Sequence, residues 1–409
     1  MTEEEQPNVI ISGGGPGGLL ASILLNNIGI KSTVLERTNE PDQWSSKSYT
    51  LVLGDRGKGS LEQGGCLESA MAAGTERHFV YFFDGKTGEQ KTIPKKSPGI
   101  GFTRPLLVEC LEKIACELPR VTLKRGVGVS RVANDEESGL QVHLEDDTII
   151  SATHVIGADG KWSKVRQSFP SFNSQATMVT CPSFGVNMNY PSIPEGWKTN
   201  GTYVIKPADE CMFYIIASPL PTTGFSFSMV CYDQTADKYP WLAPPVDMKS
   251  EDYGTGGWED EYSAMPSTVT PDSELSDHLE RLFQEELPAF YAAVGKEAVQ
   301  NARINRRVTW LQTTAEEGKA VTYSTENGLV ALIGDSAHAM TPSMGEGCNT
   351  ALESAVKLVD AVTSMMEEKE ETSCTVNTMS EALIKYGLSR PKDMQSIQEM
   401  SAARNVMKK

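Results

Sequence analysis

The sequence predicts an α/β fold: a Rossmann-like nucleotide-binding domain, interleaved with a mostly antiparallel β-sheet domain and followed by C-terminal helices. Three observations predict it. Residues 8–36 read as a β-α-β opening with a glycine cluster between strand and helix. Two later apolar runs, 153–157 and 329–333, end on Asp-containing loops, as parallel strands of such a sheet do. Between about 175 and 235 the pattern becomes alternating and aromatic-rich, with prolines between runs, the period-two texture of an antiparallel sheet.

In chain order, Asn8–Ser12 is a short apolar strand. From about Gly17 to Ile28, Leu19, Ile23 and Leu24 repeat on one helical face, and Gly29 ends the helix. Lys31–Leu35 is a second strand closing on Glu36. Residues 40–60 are rich in Ser, Gly and Asp and read as loop, with helical patterns near Leu61–Met71 and at Pro105–Leu118. Val121–Arg131 and Leu140–Ile149 read as strands joined by the polar turn Asn134–Gly139, and Thr153–Gly157 is another strand. Tyr203–Ile205, Met212–Ile216 and Phe225–Tyr232 are strands of the second sheet. Residues 243–272 are a Pro/Gly/acidic connection, and Ser273–Gly295 is a helix. Leu329–Ile333 returns to a buried strand, a long helix starts near Asn349, and Glu367–Ser373 links it to a last helix ending at Lys408-Lys409.

The whole-chain balance excludes several classes. At 409 residues, with 39% hydrophobic and 22% charged residues, the chain can bury a large core. A formal charge of -17 makes it a poor partner for nucleic acid or anionic lipid. No stretch reaches the roughly 20 apolar residues of a membrane span. Met1–Gln6 carries three glutamates and has no basic, apolar leader pattern. The eight cysteines show no CxxC pair or metal spacing, so reduced thiols in a cytoplasmic setting, and no metal, are expected.

Three segments carry chemistry. The first places G-x-G-x-x-G at Gly13, Gly15 and Gly18, with Pro16 and Gly17 inside it, between a strand and a helix. Gly13 permits the turn, Gly15 lets a pyrophosphate approach, and Gly18 lets the helix pack closely on the sheet. The helix N-terminus offers N–H groups to phosphate. Glu36, followed by Arg37, stands where a carboxylate accepts from an adenosine ribose. This motif alone does not separate FAD from NAD. The second segment, Gly157 to Arg166, is a strand entering the turn Asp159-Gly160, where Ser163 could equally be a helix cap and Arg166 a solvated charge. The third runs from Gly334-Asp335 through Pro342, Met344, Gly345, Gly347 and Cys348 to Asn349-Thr350. Asp335 lies at a strand's carboxyl end, where ligands sit in open α/β sheets, or is only a helix cap. The following helix can direct its N-terminus at a developing anion. His338 reads as a structural hydrogen-bonding residue and Cys348 as packing.

Together these segments resemble the three signatures of the class A flavoprotein monooxygenases, the aromatic-hydroxylase family. Asp159 to Arg166 resembles D-G-x-x-S-x-x-R, and Gly334 to Asn349 resembles G-D-A-A-H-x-x-x-P-x-x-G-x-G-x-N, with Ser336 for the commoner Ala. The resemblance implies a three-layer ββα FAD-binding domain. Asp335 would hold the flavin ribityl chain, with Pro342, Gly345, Gly347, Asn349 and Thr350 bordering the ring. Asp159 would act near the pyrophosphate, and Arg104 would reach FAD. Within the family the texture is most similar to the kynurenine 3-monooxygenases, through Ser48–Gly57 and through the final helix with Arg390 and Asp393. The chain departs from that pattern on the substrate side. Arg77 and His78 match an expected arginine only approximately, Pro98 stands at an expected tyrosine, and Ala402 and Ala403 replace another.

The expected division is 1–70, 101–172 and 301–365 for the FAD-binding domain, 71–100 and 173–300 for the substrate domain, and 366–409 for a helical segment. The expected function is hydroxylation of a small aromatic or conjugated substrate through a flavin C4a-hydroperoxide, with NADPH or NADH and O₂ as co-substrates. His78, Tyr214, Phe227 and Met344 are candidate substrate residues, and no side-chain acid or base is required. A monomer or homodimer is expected. A flavin dehydrogenase, a halogenase and a non-catalytic flavin-binding protein are the alternatives. The halogenase signature W-x-W-x-I-P is absent.

Overall fold

The structure is a computed structural model. It describes residues 6–40, 50–135, 139–180, 183–207, 213–221, 224–242, 273–300, 302–304, 309–313 and 320–405. Five parallel strands form a central sheet in the order Val330–Leu332, His154–Gly157, Asn8–Ser12, Lys31–Glu36, Val121–Arg125. The apolar runs of the first four are buried on both faces, with Val9, Ile11, Val34, Val155, Ile156 and Val330 fully enclosed, while the edge strand Val121–Arg125 is half-buried to exposed. Helix Pro16–Asn27 packs against the long helix Gly347–Glu368 and against helix Arg104–Glu117. A three-stranded antiparallel sheet, Val129–Asp135, Gly139–Leu144 and Ile149–Ala152, shares this core through Val132, Leu140 and Val142.

A second, eight-stranded sheet has the order Arg303–Ile304, Ser183–Tyr190, Phe225–Tyr232, Phe213–Pro219, Gly201–Lys206, Thr75–Asp84, Gln90–Thr103, Thr50–Leu53. One face is dry. Phe225, Phe227, Met229, Ile215, Tyr203 and Ile205 are buried beneath helices Ser273–Glu286 and Pro288–Val294. The alternate residues Val204, Tyr214, Ile216, Ser228 and Val230 are only half-buried, so the two faces of these strands have different surroundings.

Several elements differ from the sequence reading. The stretch 40–60 is not all loop: strand Thr50–Leu53 and helix Asp55–Gln63 lie in it, while 41–49 fall outside the described residues. The expected helix Leu61–Met71 breaks at Gly64-Gly65, where Gly65 has φ +70°. Val121–Arg131 is two strands in different sheets, separated by a turn in which Gly126 has φ +70°. Ser273–Gly295 is two helices, because Pro288 cannot donate to the preceding turn and starts a new one. The final helix spans Val376–Asn405 and accommodates Pro391. The connection 243–272 and the end at Lys408-Lys409 lie outside the described residues.

Candidate cofactor and active site

The first motif is built by close backbone approach. Gly13 has φ +109°, and a Cβ there would lie 2.4 Å from the Ala158 carbonyl oxygen. A Cβ on Gly18 would lie 2.1 Å from the Gly13 carbonyl oxygen, so only glycine lets the helix start under the turn. Helix Pro16–Asn27 has no side-chain N-cap and no acidic residue in its first turn, which leaves its N–H groups available for phosphate. Glu36 is buried at its strand end and accepts from the Gly14 N–H at 2.8 Å and the Thr38 N–H at 3.0 Å. Its carboxylate is thereby aimed at the glycine turn. Arg37 beside it is exposed.

Arg104 lies over the glycine turn, and Asp335 is near enough to feel its charge. The strand Gln90–Thr103 passes directly into helix Arg104–Glu117, and the Arg104 Nη2 lies 3.5 Å from where a Gly15 Cβ would be. Gly334, at φ +58°, follows the edge strand Val330–Leu332 and turns Asp335 into a short helix. Asp335 is open to solvent yet walled by protein, as a residue in a crevice is. The walls push its carboxyl above the usual range, while Lys161 and Arg104 act in the other direction. Lys161, which the sequence reading did not single out, is thus near enough to act on Asp335; its Nζ lies 4.9 Å from the Trp162 ring centre.

The second and third motifs are joined by Ser336. Its hydroxyl donates to Asp159 Oδ1 at 3.0 Å and accepts from the Gly160 N–H at 2.9 Å. Asp159 Oδ2 accepts from the Lys164 N–H at 2.8 Å, and Ser163 caps the helix through the Arg166 N–H at 2.9 Å. Arg166 is not a solvated charge. It is buried and donates to the carbonyls of Ser336 (2.8 Å) and Lys161 (2.7 Å), bracing both motifs behind the crevice wall.

In the third segment, Gly345 has φ +68° and Gly347 has open space at its Cβ position, so the loop presents bare backbone. Pro342 is exposed and Met344 half-buried beside it. Asn349 is engaged entirely by protein. Its Oδ1 accepts from the Gly54 N–H at 2.9 Å, and its Nδ2 donates to Val52 and Gly345 carbonyls at 3.2 and 3.1 Å. Thr350 is fully buried and donates back to Glu346 at 2.9 Å. These two side chains shape the wall rather than offering free polar atoms. The Cys348 thiol is pushed up to about 12 by burial and is un-ionised at neutral pH. His338 is buried, its Nε2 lies 2.8 Å from Ser354 Oγ, and burial pulls its pKa to about 3, which leaves it neutral and structural.

The candidate substrate residues separate. Phe227 is a correction: it is fully buried on the dry face, against Phe290 and Trp197, because strand alternation points it to the helical cover. Tyr214 lies on the opposite, half-buried face and hydrogen-bonds Tyr232. His78 is engaged with Glu76 at 2.9 Å, and Arg77 is buried with donors on the Thr199 (2.9 Å) and Pro219 (2.5 Å) carbonyls. A network outside the three motifs joins the remaining segments. Glu353 Oε2 is met by Arg56 at 2.5 Å and Arg390 at 2.7 Å, so two arginines 334 positions apart in sequence share one carboxylate.

The chain matches the family described as FAD binding domain over residues 6–375. It is 24% identical over 395 residues to the FAD-dependent monooxygenase penM of Penicillium crustosum, covering 93% of this chain and 74% of that protein. A mutant of 2-methyl-3-hydroxypyridine-5-carboxylic acid oxygenase superposes with a TM-score of 0.70 at 19% identity, over 98% of this chain and 91% of the other. A variant of HpxO from Klebsiella pneumoniae, complexed with FAD, gives 0.70 at 18%, over 98% and 90%. With a phosphate-ready helix, a ribose-side carboxylate and a crevice carboxylate between two cations, the chain belongs to the FAD-binding family and is a FAD-dependent monooxygenase of the class A, aromatic-hydroxylase type.

Proposed function

We propose that the protein hydroxylates a small aromatic or conjugated substrate, using NADH or NADPH and O₂. The observation that carries this reading is the seam at Asn349. Its amide ties the glycine loop to strand Thr50–Leu53 of the eight-stranded sheet, so the crevice opens where the two sheets meet. Bound FAD supplies electron transfer and oxygen activation. The chain's own residues bind and orient it. Glu36 would accept from the adenosine ribose, the N-terminus of helix Pro16–Asn27 with Arg104 and Lys161 would offset the pyrophosphate charge, and Asp335 would accept from the ribityl hydroxyls. Bare backbone at Gly345–Gly347 would allow close approach of the flavin, and the N-terminus of helix Gly347–Glu368 would offer it positive potential.

No titrating side chain is needed for the oxygen transfer, in keeping with a neutral His338 and an un-ionised Cys348. The protein's part is positioning and exclusion of water. Gly126-Val127-Gly128 joins strand to strand, and among the described residues no second glycine motif opens a helix. NAD(P)H would then visit the FAD crevice transiently. The pyridine acid named for the similar oxygenase supports a small ring as substrate. The test is a panel of aromatic compounds screened for acceleration of NADH and NADPH oxidation, with product mass measured. A compound that accelerates oxidation and gains one oxygen supports the reading. Substrate turnover without O₂ defeats it in favour of a dehydrogenase.

A further inference from the structure

One stripe of the final helix touches the glycine-loop segment at every stage of its path. Tyr386, Arg390, Met394, Gln398 and Ser401 recur at spacings of four and three, and all are buried. The Tyr386 hydroxyl donates to the Leu332 carbonyl at 3.0 Å, on the strand that delivers Asp335. Arg390 donates to Ser354 Oγ and the Thr350 carbonyl, at 3.0 and 3.2 Å, at the start of the long helix. Two turns further along, Gln398 Nε2 donates to both the Ala339 carbonyl (3.1 Å) and the Leu311 carbonyl (2.9 Å). Ser401 Oγ donates to the Thr341 carbonyl at 2.9 Å, while the Thr341 and Ser343 hydroxyls donate back to the Ser401 carbonyl at 2.9 and 2.6 Å.

We propose that Gln398 and Ser401 are positioning residues: they latch residues 339–343, and so set where Pro342–Gly347 stands against the bound flavin. The proposal rests on the reading that this loop borders FAD. Gly345 and Gly347 have open space at their Cβ positions, and Asn349 ties the loop at Gly345, which leaves its 339–343 end to be fixed by other contacts. The last turns of a helix can fix it, because buried carbonyls at 311, 339 and 341 lose their partners if the loop moves. Gln398 is suited to the task because one amide nitrogen carries two N–H donors and meets two carbonyls on different strands of chain. The Thr341–Ser401 exchange of hydroxyl and carbonyl bonds then registers the loop along the helix axis.

The test compares Gln398→Met, which keeps the length and removes the donors, with Thr341→Val, which keeps the shape and removes the hydroxyl. Thr341→Ser restores that hydroxyl, and Gln395→Met, an exposed position on the same helix, is the control. Release of FAD is followed on dilution, together with the visible circular dichroism of the bound flavin and the melting temperature of the apoprotein. Gln398→Met and Thr341→Val are expected to release FAD about tenfold faster, equivalent to about 1.4 kcal/mol, with an altered dichroism spectrum. Thr341→Ser and Gln395→Met are expected to match wild type in both. Wild-type release and spectrum in Gln398→Met and Thr341→Val overturn the latch. So does a lowered apoprotein melting temperature without any spectral change, which marks a purely structural role. A wild-type protein that takes up no FAD overturns the cofactor reading itself, a result distinct from both.

Discussion

At the scale of single residues, the site depends on atoms that have no alternative place. A methyl group at Gly18 meets the Gly13 carbonyl oxygen at 2.1 Å; the oxygen is backbone and the methyl is bonded directly to Cα, so neither can swing away. Gly18→Ala is expected to cost about 1–3 kcal/mol of stability and to lose bound FAD, read by denaturant unfolding and by flavin content. Asp335→Ala removes a charged acceptor from the crevice. Charge-assisted hydrogen bonds are worth about 1.5–3 kcal/mol, so FAD affinity is expected to fall by about ten- to a hundredfold in a fluorescence titration of apoprotein. Unchanged affinity sinks the ribityl role. Ser336→Ala tests the join between the second and third motifs. It leaves the Gly160 N–H and Asp159 Oδ1 without their shared partner, at an expected cost of about 1–2 kcal/mol in chemical unfolding.

Among elements, the final helix carries the most consequence. Arg390 is 2% exposed and lies on Glu353, Ser354 and the Thr350 carbonyl at once. Replacing one partner of a buried pair leaves the other charge uncompensated, which costs about 3–5 kcal/mol when no second partner exists. Arg56 still reaches Glu353 at 2.5 Å, so Arg390→Met is expected to cost somewhat less, about 2–4 kcal/mol. Arg56→Met, at a half-open site, is expected to cost about 1 kcal/mol or less. Equal losses in the two variants would refute the unequal burial of the pair. Arg56 and Arg390 fall in the two separate segments of kynurenine-type texture, Ser48–Gly57 and the final helix. The sequence reading could not show that one carboxylate of the long helix joins them, because Glu353 belongs to neither segment.

For the whole molecule, pH is the most informative variable. His154 is buried between Thr153 and Ser380, where it links the central sheet to the final helix, and burial pulls its pKa to about 4. His338 is pulled to about 3. Both begin from an ordinary value of 6.5, so in the window from 6.5 down to about 4 the unfolded chain takes up protons that the folded chain refuses. Stability is therefore full above that window and falls as pH drops through it, by up to about 1.4 kcal/mol per pH unit for each histidine. Denaturant midpoints of the apoprotein measured at about pH 7.5 and about pH 5 check this expectation; a midpoint that does not fall contradicts it.

The sequence by itself determined the family, the order of the three motifs and the strands that carry Gly13, Glu36, Asp159 and Asp335. Those features are legible because their causes are local: a positive φ, a close approach, a helix start, a strand's apolar run. Only the tertiary structure decided what each neighbouring side chain does. Arg166, Asn349 and Thr350 belong to the motifs, yet their polar atoms are taken up by distant or local backbone, and Phe227 turned out to face the helical cover. Lys161, Gln398 and Ser401 emerged for the same reason. A buried polar group is assigned by whichever partner the fold brings within hydrogen-bond distance, and for Ser336 and Asp159 that partner lies 177 positions away.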